Sequence, residues 1–537
     1  MIFLPKRKNV KYYEGKLVGE RLTPDTCKVL DKLIELSNQG GYIEDLKHCI
    51  YNLSPLDVEV VKATGTSDSI EKNLGTLTDP QTIGVAYMYY AKRVVMADSV
   101  GLGKTVMISG LINLCNLKQR KNGYTMRYLY FTEKNLVKET RDKLIRFTGE
   151  FADAIYGTKK DVGRFLSENN DELHCNLVAS YSVAKNISFQ EYLKEYYTYF
   201  EDVPFDLLII DEAGTVLSGA RSAGRGVSEQ YTALKGIADM FDMVILLNAT
   251  PFGKDLNTMY SQLDFVDDTL LPSRYAFNKR YVEFDYRGPY PKPNGKYKNV
   301  DEFRRLVSYR CISRTRKSTG AKMIDCTADV VLSDLSPEQK TLLKETSMPN
   351  MVYDCPGYFY GNMLESNTEN TPKLLDVLGL VAKFTGMGEQ VIVYAHYKEA
   401  QYAIQNVLFE HGIACDILNG DVNIKERNKI IQEFKLGSSK VLITNVQRGL
   451  DFGSCNICIF YSYDPNPGNM VQFEGRMTRD RDIIGKHVYI LISRGKELER
   501  FKSMVRDRAI ASDAFVDSDF SCVMELLLDD ERMLNLK

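Results

Sequence analysis

Two series of short β-rich runs, separated by helix-like stretches, most constrain how this chain can fold. The first series is 94–98, 127–132, 176–181, 206–211 and 243–250, and the second is 391–396, 414–420, 440–446, 456–463 and 487–493. Helical patterns lie between several of these runs, such as 135–147, 398–412 and 425–437. Alternation of this kind predicts parallel sheets with helices on both faces. The sequence therefore predicts an α/β protein with two lobes.

The stretches outside the two series predict the remaining organisation. A helical pattern at 24–39 is typical of an accessory segment, and a Pro-, Gly- and Lys-rich run at 287–299 is typical of a linker. The predicted domains are an accessory segment at 1–75, a first lobe at 76–265, a linker with helical insertions at 266–370, a second lobe at 371–505 and a C-terminal tail at 506–537. A chain of 537 residues is too long for a single core, which agrees with this division.

Charge and hydropathy limit the class of protein. The 69 Lys and Arg residues nearly balance the 71 Asp and Glu residues, so a polyanionic partner must be held by a local groove. No apolar run approaches the roughly 20 residues that a membrane-spanning helix needs. The apolar segment at the start of the chain is too short for a signal peptide. These features favour a cytoplasmic location without membrane contact.

Cys455 and Cys458 have the spacing of half a zinc site. They lie in a β-branched and aromatic run that is typical of a buried strand. No second cysteine pair or histidine pair occurs that would complete four ligands. The pattern therefore favours buried thiols over a zinc site.

The stretch VVMADSVGLGKTV at 94–106 combines a strand, a glycine-containing loop and the start of a helix. This is the context of a phosphate loop, in which main-chain N–H groups of the loop and of the helix N-terminus face an anion. We expect the nucleotide-binding residues of this loop to be Asp98, Gly101, Gly103, Lys104 and Thr105. Lys104 would contact the β- and γ-phosphates of ATP, and the Thr105 hydroxyl would bind Mg²⁺. Asp98 stands where the common pattern has its first glycine, and the alternative is a glycine-rich strand-to-helix turn.

A second signal lies in DLLIIDEAG at 206–214, where an apolar strand ends in two carboxylates. Open parallel sheets bind their ligands at this end of the strands. Asp211 is expected to hold Mg²⁺ through water, and Glu212 is expected to orient or deprotonate the attacking water. The alternative is a pair of carboxylates that simply ends a strand in solvent. Two matching signals in one lobe favour the ATP site.

An arginine pattern in QFEGRMTRD at 472–480 gives the second lobe a candidate catalytic part. Gln472, Arg476 and Arg479 share one face of a helix by the i, i+4 and i+7 rule. A charged helix face is usually only solvated. Opposite a bound nucleotide, however, two guanidiniums on one face form an arginine-finger arrangement for the transferred phosphate.

Seven motifs occur in order along the chain. They are DPQTIGVAYMY with Gln81, ADSVGLGKT, ASYS at 179–182, DEAG, NATPF at 248–252, TNVQRGLDF at 444–452 and QFEGRMTR. This series resembles that of superfamily 2 helicases and DNA translocases, and it is most similar to the Swi/Snf-like branch, over residues 76–505. That branch also begins its phosphate loop with an acidic residue, which matches Asp98. The resemblance implies two tandem RecA-like lobes with parallel sheets, a helical N-terminal segment and an insertion between the lobes.

The same resemblance implies roles for further residues. It assigns Gln81 to the adenine, Gly449 and Asp451 to nucleotide binding, and Arg479 to the arginine finger with Arg476 in support. Gly214 departs from the branch, which usually has His at that position. Side-chain coupling from residue 214 to the NATPF motif is therefore expected to be absent.

The resemblance implies an ATP-driven motor on nucleic acid, with DNA favoured over RNA. The residues expected to grip phosphates without reading bases are Lys134, Ser180, Tyr181, Thr250 and Thr444. Binding is then largely independent of sequence. Because the chain lacks chromatin-reading modules, a prokaryotic or viral source is favoured. Two alternatives remain: an RNA helicase with the same ATPase, and an ATP-dependent regulatory switch without motor activity.

Overall fold

Two compact units make up the protein, which we describe from a computed structural model. The first unit comprises Met1–Ala321 with Ile510–Asp519, and the second comprises Lys322–Ala509 with Phe520–Lys537. The structure describes residues 12–13, 16–17, 22–38, 77–120, 126–168, 176–199, 205–217, 228–248, 256–286, 292–315, 318–319, 326–360, 371–446, 455–464, 470, 473 and 485–504.

The first unit contains eleven described helices and eleven described strands. The helices are α1 Pro24–Asn38, α2 Asp79–Ala91, α3 Lys104–Arg120, α4 Val137–Thr148, α5 Lys159–Glu168, α6 Ile187–Tyr199, α7 Ala213–Val216, α8 Glu229–Ala238, α9 Leu256–Val266, α10 Arg274–Tyr281 and α11 Val300–Val307. The strands are β1 Tyr12–Tyr13, β2 Lys16–Leu17, β3 Arg93–Met96, β4 Tyr128–Thr132, β5 Asp153–Ile155, β6 Leu177–Ser180, β7 Phe205–Ile210, β8 Phe241–Leu247, β9 Val282–Asp285, β10 Lys292–Tyr297 and β11 Cys311–Ile312. Short 3₁₀ helices follow β4 and β6, at Lys134–Leu136 and Tyr181–Lys185.

A seven-stranded parallel sheet forms the centre of the first unit, in the order β11-β3-β8-β7-β4-β6-β5. Its inner strands are runs of apolar residues, and β3, β4 and β6 are buried along their whole length. Apolar clusters cover both faces of the sheet, which is why these strands read as continuous hydrophobic runs and not as alternating ones. All strands run parallel, so their carboxyl ends meet at one edge.

The second unit repeats this architecture. Its described strands are β12 Cys326–Ser333, β13 Val391–Tyr394, β14 Asp416–Leu418, β15 Val441–Thr444, β16 Ile457–Phe460 and β17 Lys486–Ser493. They form a six-stranded parallel sheet in the order β12-β17-β16-β13-β15-β14. The helices are α12 Pro337–Glu345, α13 Pro349–Asp354, α14 Pro372–Gly386, α15 Lys398–Glu410 and α16 Ile424–Lys435, with a 3₁₀ helix at Pro356–Tyr360. Apolar clusters again cover both faces.

The predicted fold class is confirmed, since two parallel sheets are each covered by helices. All ten predicted strands are present, at β3, β4, β6, β7 and β8 in the first unit and at β13 to β17 in the second. Seven further described strands were not predicted: β1, β2, β9 and β10 form two small two-stranded sheets, and three strands belong to the parallel sheets. These last three are β5, which is three residues long, β11, which is two residues long, and β12. A strand of two or three residues has too few positions to show a period, which explains the omission of β5 and β11.

The segment 266–370, expected to be a linker with helical insertions, supplies an edge strand to each sheet. Strand β11 pairs with β3 in the first unit, and β12 pairs with β17 along eight residue positions in the second unit. Helices occur in this segment as expected. Strand β11 lies within the basic run at 309–322, which concealed it because edge strands carry many charged and polar residues nearby. The domain boundaries from the sequence stay a prediction.

Two smaller expectations concern single features. No described helix is both long enough and apolar enough to cross a membrane. Cys455 and Cys458 are both fully buried, and the Cys455 thiol donates to the carbonyl oxygens of Gln390 and Ile457. Within the described ranges, no group of three or more histidine, cysteine or acidic residues is placed to hold a metal ion. The cysteine pair is therefore part of the core of the second unit.

Candidate nucleotide-binding site

The loop between β3 and α3 has the backbone of a phosphate loop. Strand β3 ends at Met96 and helix α3 begins at Lys104. Gly101 and Gly103 adopt φ angles of 86° and 82°, in the left-handed region that favours glycine. A side chain at Gly103 would also collide, because its Cβ would lie 2.5 Å from Nε2 of Gln81. Both glycines are therefore required by this loop conformation.

Lys104 places its ammonium group inside this loop. Its Nζ atom donates to the main-chain carbonyl oxygens of Asp98 at 2.5 Å and Ser99 at 3.1 Å. The first N–H groups of α3 have no partner within the helix, and the helix dipole adds positive potential at the same end. Thr105 is half-buried in the first turn of α3. The loop therefore combines the features that bind a phosphate group.

Asp211 and Glu212 follow β7, which ends at Ile210. Burial, and next the neighbouring Glu212 carboxylate, raise the pKa of Asp211 to about 6, whereas the charge of Lys104 opposes this rise. The main-chain N–H of Glu212 donates to Oδ1 of Asp211 at 3.0 Å. The structure thus brings the predicted lysine and the predicted carboxylates into electrostatic contact at the carboxyl end of the first sheet.

Glu212 has an unusual backbone conformation. Its φ and ψ angles are 45° and 41°, which places a residue with a side chain in the left-handed region, immediately before α7. That conformation costs on the order of 1 kcal/mol for a residue other than glycine. Strain of this kind is concentrated at functional sites, where the surrounding structure holds a side chain in a fixed direction.

Two tyrosines surround Asp211. The Tyr181 hydroxyl donates a hydrogen bond to the main-chain carbonyl oxygen of Asp211. Tyr130 lies in β4. Burial is the main cause that raises the pKa of its hydroxyl well above the ordinary value, and the nearby charge of Asp211 is the second cause. Sequence reasoning assigned Tyr181 to nucleic acid and did not single out Tyr130. Only the neighbouring positions of β4, β6 and β7 bring these rings to the carboxylate.

Gln81 connects the phosphate loop to the start of α2. Its Oε1 atom accepts from the N–H of Thr78 at 3.0 Å, and its Nε2 atom donates to the carbonyl oxygen of Leu102 at 3.2 Å. The first contact belongs to a capping box at the N-terminus of α2. Gln81 therefore lies beside the loop, and its contact with adenine stays a prediction.

Gly214 lies against Asn248, the first residue of the NATPF motif. A Cβ atom at residue 214 would lie 2.3 Å from Nδ2 of Asn248. Asn248 is buried, and this amide donates to Oε1 of Gln262 at 3.0 Å. The two motifs are thus in contact, with the side chain supplied by Asn248 instead of residue 214. Sequence reasoning expected no coupling from residue 214 and did not identify this replacement.

Asp98 and Arg314 form a buried ion pair. The Asp98 carboxylate accepts from Nε of Arg314 at 3.0 Å and from Nη2 at 2.5 Å, and both side chains are at most 4% exposed. Asp98 was predicted to bind the nucleotide, but its side chain is directed to Arg314. The only sequence signal for Arg314 was the basic run at 309–322, which was attributed to the linker.

The residues predicted to contact nucleic acid do not share one environment. Lys134 is exposed in the 3₁₀ helix after β4. Ser180 and Thr444 are buried, and the Thr444 hydroxyl donates to the carbonyl oxygen of Leu418 at 2.7 Å. Of the described members of this set, Lys134 is therefore the residue best placed to meet a phosphate backbone.

Several predicted site residues lie outside the described residues. They are Thr250, Gly449, Asp451, Arg476 and Arg479, together with Gln472. Their roles stay predictions from the sequence.

Two family models match the chain. One describes an SNF2-related domain and matches residues 80–375, which is more than half of the chain. The other describes a helicase conserved C-terminal domain and matches residues 371–481. The two matches together span every residue that we assign to the candidate site.

Curated proteins and a solved structure are also similar to this chain. The DNA repair and recombination protein RAD54B of Mus musculus is 22% identical over 79% of this chain and 53% of its own length. The chromodomain-helicase-DNA-binding protein 1-like of Danio rerio is 22% identical over 79% of this chain and 41% of its own length. The chain therefore spans about half the length of the curated relatives it matches. The Sulfolobus solfataricus SWI2/SNF2 ATPase core in complex with dsDNA is 18% identical, covers 82% of this chain and 92% of its own, and has a TM-score of 0.38.

Proposed function

Because the chain belongs to the SNF2-related family, we propose that it is a DNA-dependent ATP hydrolase that couples hydrolysis to movement along the nucleic acid. Its two matched domains are those of an ATP-hydrolysing enzyme. The observation that carries the proposal is that Lys104, which follows β3, and Asp211 and Glu212, which follow β7, lie at the same edge of the first sheet. A lysine-bearing glycine loop beside two carboxylates is suited to bind and hydrolyse a nucleoside triphosphate.

The described residues fit ATP and Mg²⁺. Lys104 already bonds to oxygen atoms within the loop, so a phosphate oxygen can take the place of a carbonyl oxygen. Thr105 and Asp211 would hold the Mg²⁺ ion, since Mg²⁺ prefers oxygen ligands and keeps several waters. When bound, the ion neutralises charge on the phosphate oxygens. Gln81 would contact the adenine, beside the loop that it already contacts through Leu102.

Glu212 would orient or deprotonate the attacking water. Its left-handed backbone fixes the direction in which the carboxylate leaves the strand. Tyr181 supports the same turn, because its hydroxyl bonds to the carbonyl oxygen of Asp211. By the resemblance of the QFEGRMTR motif, Arg479 would be the arginine finger and Arg476 would support it.

DNA is favoured as the polymer. The relatives named above are a DNA repair and recombination protein and a chromodomain-helicase-DNA-binding protein. Lys134, exposed after β4, would contribute a sequence-independent phosphate contact. Gly449 and Asp451 would complete nucleotide binding, and Thr250 would join Lys134 on the DNA-binding face.

ATP turnover measured without polymer, with single-stranded DNA, with duplex DNA and with RNA tests the proposal. We expect duplex DNA to give the largest stimulation, because the family resemblance favours translocation on DNA. Stimulation by RNA alone would support an RNA helicase, and turnover unaffected by every polymer would support a regulatory switch. Measuring the affinity for DNA at rising salt separates contacts with the phosphate backbone from contacts with the bases. Affinity that depends on phosphate contacts falls steeply with salt.

A further inference from the structure

The Arg314 guanidinium occupies a pocket built from three separate segments. It donates to the Asp98 carboxylate through Nε and Nη2, and its Nη1 atom donates to the main-chain carbonyl oxygen of Pro80. Nη2 also lies 3.2 Å from Sδ of Met107 in α3. One side chain thus contacts the first residue of the phosphate loop, the start of α2 and the helix that follows the loop.

Gly84 provides the space for this guanidinium. It lies in the interior of α2, where glycine is destabilising relative to alanine. A Cβ atom there would lie 2.6 Å from Nη2 of Arg314 and 2.6 Å from Sδ of Met107. The absence of a side chain at residue 84 is therefore required by the position of Arg314. We call the set formed by Arg314, Asp98, Pro80, Met107 and Gly84 the arginine clamp.

Main-chain hydrogen bonds on both sides of the Arg314 side chain also fix the phosphate loop. The N–H of Ala97 donates to the carbonyl oxygen of Ile312 at 2.7 Å, and the N–H of Ser99 donates to that of Arg314 at 3.0 Å. The ladder between β11 and β3 therefore continues into the first residues of the loop. The residues next to Asp98 are fixed by the same segment that carries the guanidinium.

The charge of Asp98 explains why the loop needs the ion pair with Arg314. A carboxylate in a phosphate loop repels the phosphates that the loop binds, and this repulsion is strong where water is excluded. The Arg314 guanidinium neutralises the carboxylate with two hydrogen bonds in a buried site. Asp98 can then fix the loop without opposing the ligand.

We propose that Arg314 is a positioning residue of the nucleotide site: through Asp98 and Pro80 it sets the phosphate loop against the start of α2, and it cancels the charge that would repel ATP. The proposal rests on the proposed ATP site. It assigns Arg314 no contact with ATP itself. It also gives Asp98 an indirect role in place of the direct nucleotide contact expected from the sequence.

A second buried pair in the same unit offers a matched control. Arg310, four positions earlier in the chain, donates to Asp267 at 3.0 Å, and the two side chains are 0% and 6% exposed. Its other hydrogen bonds go to the carbonyl oxygens of Ala91 and Arg93, at the opposite end of β3 from the phosphate loop. Loss of either guanidinium leaves a buried carboxylate without its cation. Only Arg314 touches the loop.

The first experiment compares Arg314→Gln with Arg310→Gln. Both variants should lower the melting temperature by about 5–15 °C, since breaking a buried ion pair is strongly destabilising. ATP affinity, measured well below both melting temperatures, should weaken by at least about tenfold in Arg314→Gln because Asp98 is then an uncompensated charge. Arg310→Gln should stay within about twofold of wild type, as expected of a distant site.

A rescue variant separates positioning from general damage. Asp98→Asn combined with Arg314→Gln removes both charges, so ATP affinity should recover most of the loss seen in Arg314→Gln alone. Arg314→Lys keeps the charge but loses the two-pronged geometry, and it should show an intermediate ATP affinity. Equal loss of affinity in Arg314→Gln and Arg310→Gln, or no recovery in the double variant, would overturn the proposal.

Gly84→Ala tests the clamp without any nucleotide. It should lower the melting temperature in the wild-type background, where the new methyl group meets both the guanidinium and Met107, and should lower it less in Arg314→Gln, where only the contact with Met107 remains. Gly236→Ala in α8 is the control, because a Cβ there meets nothing within 4 Å. A loss of stability from Gly84→Ala that is the same in both backgrounds would contradict the clamp.

The proposed ATP site and the positioning role of Arg314 can be disproved separately. Absence of ATP binding by the wild-type protein would overturn the proposed function. ATP binding by the wild type, with unchanged affinity in a folded Arg314→Gln variant, would overturn only the positioning role of Arg314.

Discussion

The two parallel sheets share one architecture but differ in the polar groups at the carboxyl ends of their strands. In the first unit these ends carry the ammonium of Lys104, held by main-chain carbonyl oxygens, and the carboxylates of Asp211 and Glu212. In the second unit, two of the described ends carry a hydroxyl and an amide that bond within the unit. Thr444 bonds to Leu418, and Asn419 donates to Gln401 at 3.0 Å.

The buried lysine of the second unit shows the contrast most clearly. Lys373 is 1% exposed and its Nζ lies 2.7 Å from Asp354 and 3.2 Å from Glu497. Burial by itself lowers the pKa of this lysine, but the two carboxylates outweigh burial and raise it. Its charge is thus matched by fixed partners inside the unit. Nζ of Lys104 instead donates to two main-chain carbonyl oxygens, and a phosphate oxygen can replace such a partner. The same architecture thus carries the candidate nucleotide site in the first unit and an internal charged network in the second.

The prediction with the largest expected effect concerns Arg479. If this residue is the arginine finger, the second unit also supplies a catalytic charge, and the contrast between the two units is incomplete. Arg479→Ala should keep most ATP affinity, lose about 10³–10⁵ in turnover and lose stimulation by DNA, as removal of an arginine finger does. Arg494→Ala, which removes an exposed arginine beside Asp334, is the control and should change little. Steady-state turnover and ATP affinity decide the matter, and unchanged turnover in Arg479→Ala would leave the second unit without a catalytic part.

The next prediction sharpens the role of the first sheet. Glu212→Gln keeps the shape of the side chain but removes the base, so turnover should fall by about 10²–10⁴ while ATP still binds. Glu229→Gln, at an exposed position in α8, serves as the control. Single-turnover measurements should find ATP bound and unhydrolysed. Weak ATP binding together with a normal rate of hydrolysis would contradict the role of Glu212.

A third prediction compares the two lysines directly. Lys104→Ala should lower turnover by at least about 10²–10³, because it removes a charge that stabilises the transition state, with little loss of stability. Lys373→Ala should instead cost about 3–5 kcal/mol of unfolding free energy, since it leaves two carboxylates buried without their cation. Urea unfolding and ATP turnover, measured for both variants, test whether Lys104→Ala mainly loses activity and Lys373→Ala mainly loses stability. Similar losses of stability in the two variants would remove the distinction between ligand site and internal network.

The smallest effect concerns the contact between Gly214 and Asn248. Gly214→Ala should cost about 1–3 kcal/mol of unfolding free energy, because the added methyl group overlaps the Asn248 amide. Asn248→Ala should relieve most of that cost when the two changes are combined. Gly163→Ala in α5 is the control, since a Cβ there meets nothing within 4 Å. If the unfolding free-energy costs of Gly214→Ala and Asn248→Ala simply add in the double variant, the two residues do not interact.

The sequence by itself determined the features that depend on local spacing. Apolar runs predicted all nine inner strands of the two parallel sheets and the edge strand β14, and the inner strands are apolar because both of their faces are buried. The glycines of the phosphate loop, Lys104 and the pair Asp211 and Glu212 were identifiable because each lies within a few residues of a strand end. The family matches then confirmed the resemblance that these motifs predicted.

Only the tertiary structure decided which distant residues complete the site. Asp98 and Arg314 are separated by 216 positions, and no local period connects them. The register of β11 on β3 brings the guanidinium to the loop. Likewise, the adjacent placement of β7 and β8 brings Gly214 against Asn248, and the burial of Thr444 follows from strand packing. The spacing of a motif indicates which groups can face a ligand. The groups that hold the motif in place come from elements far apart in the chain, so only the tertiary contacts identify them.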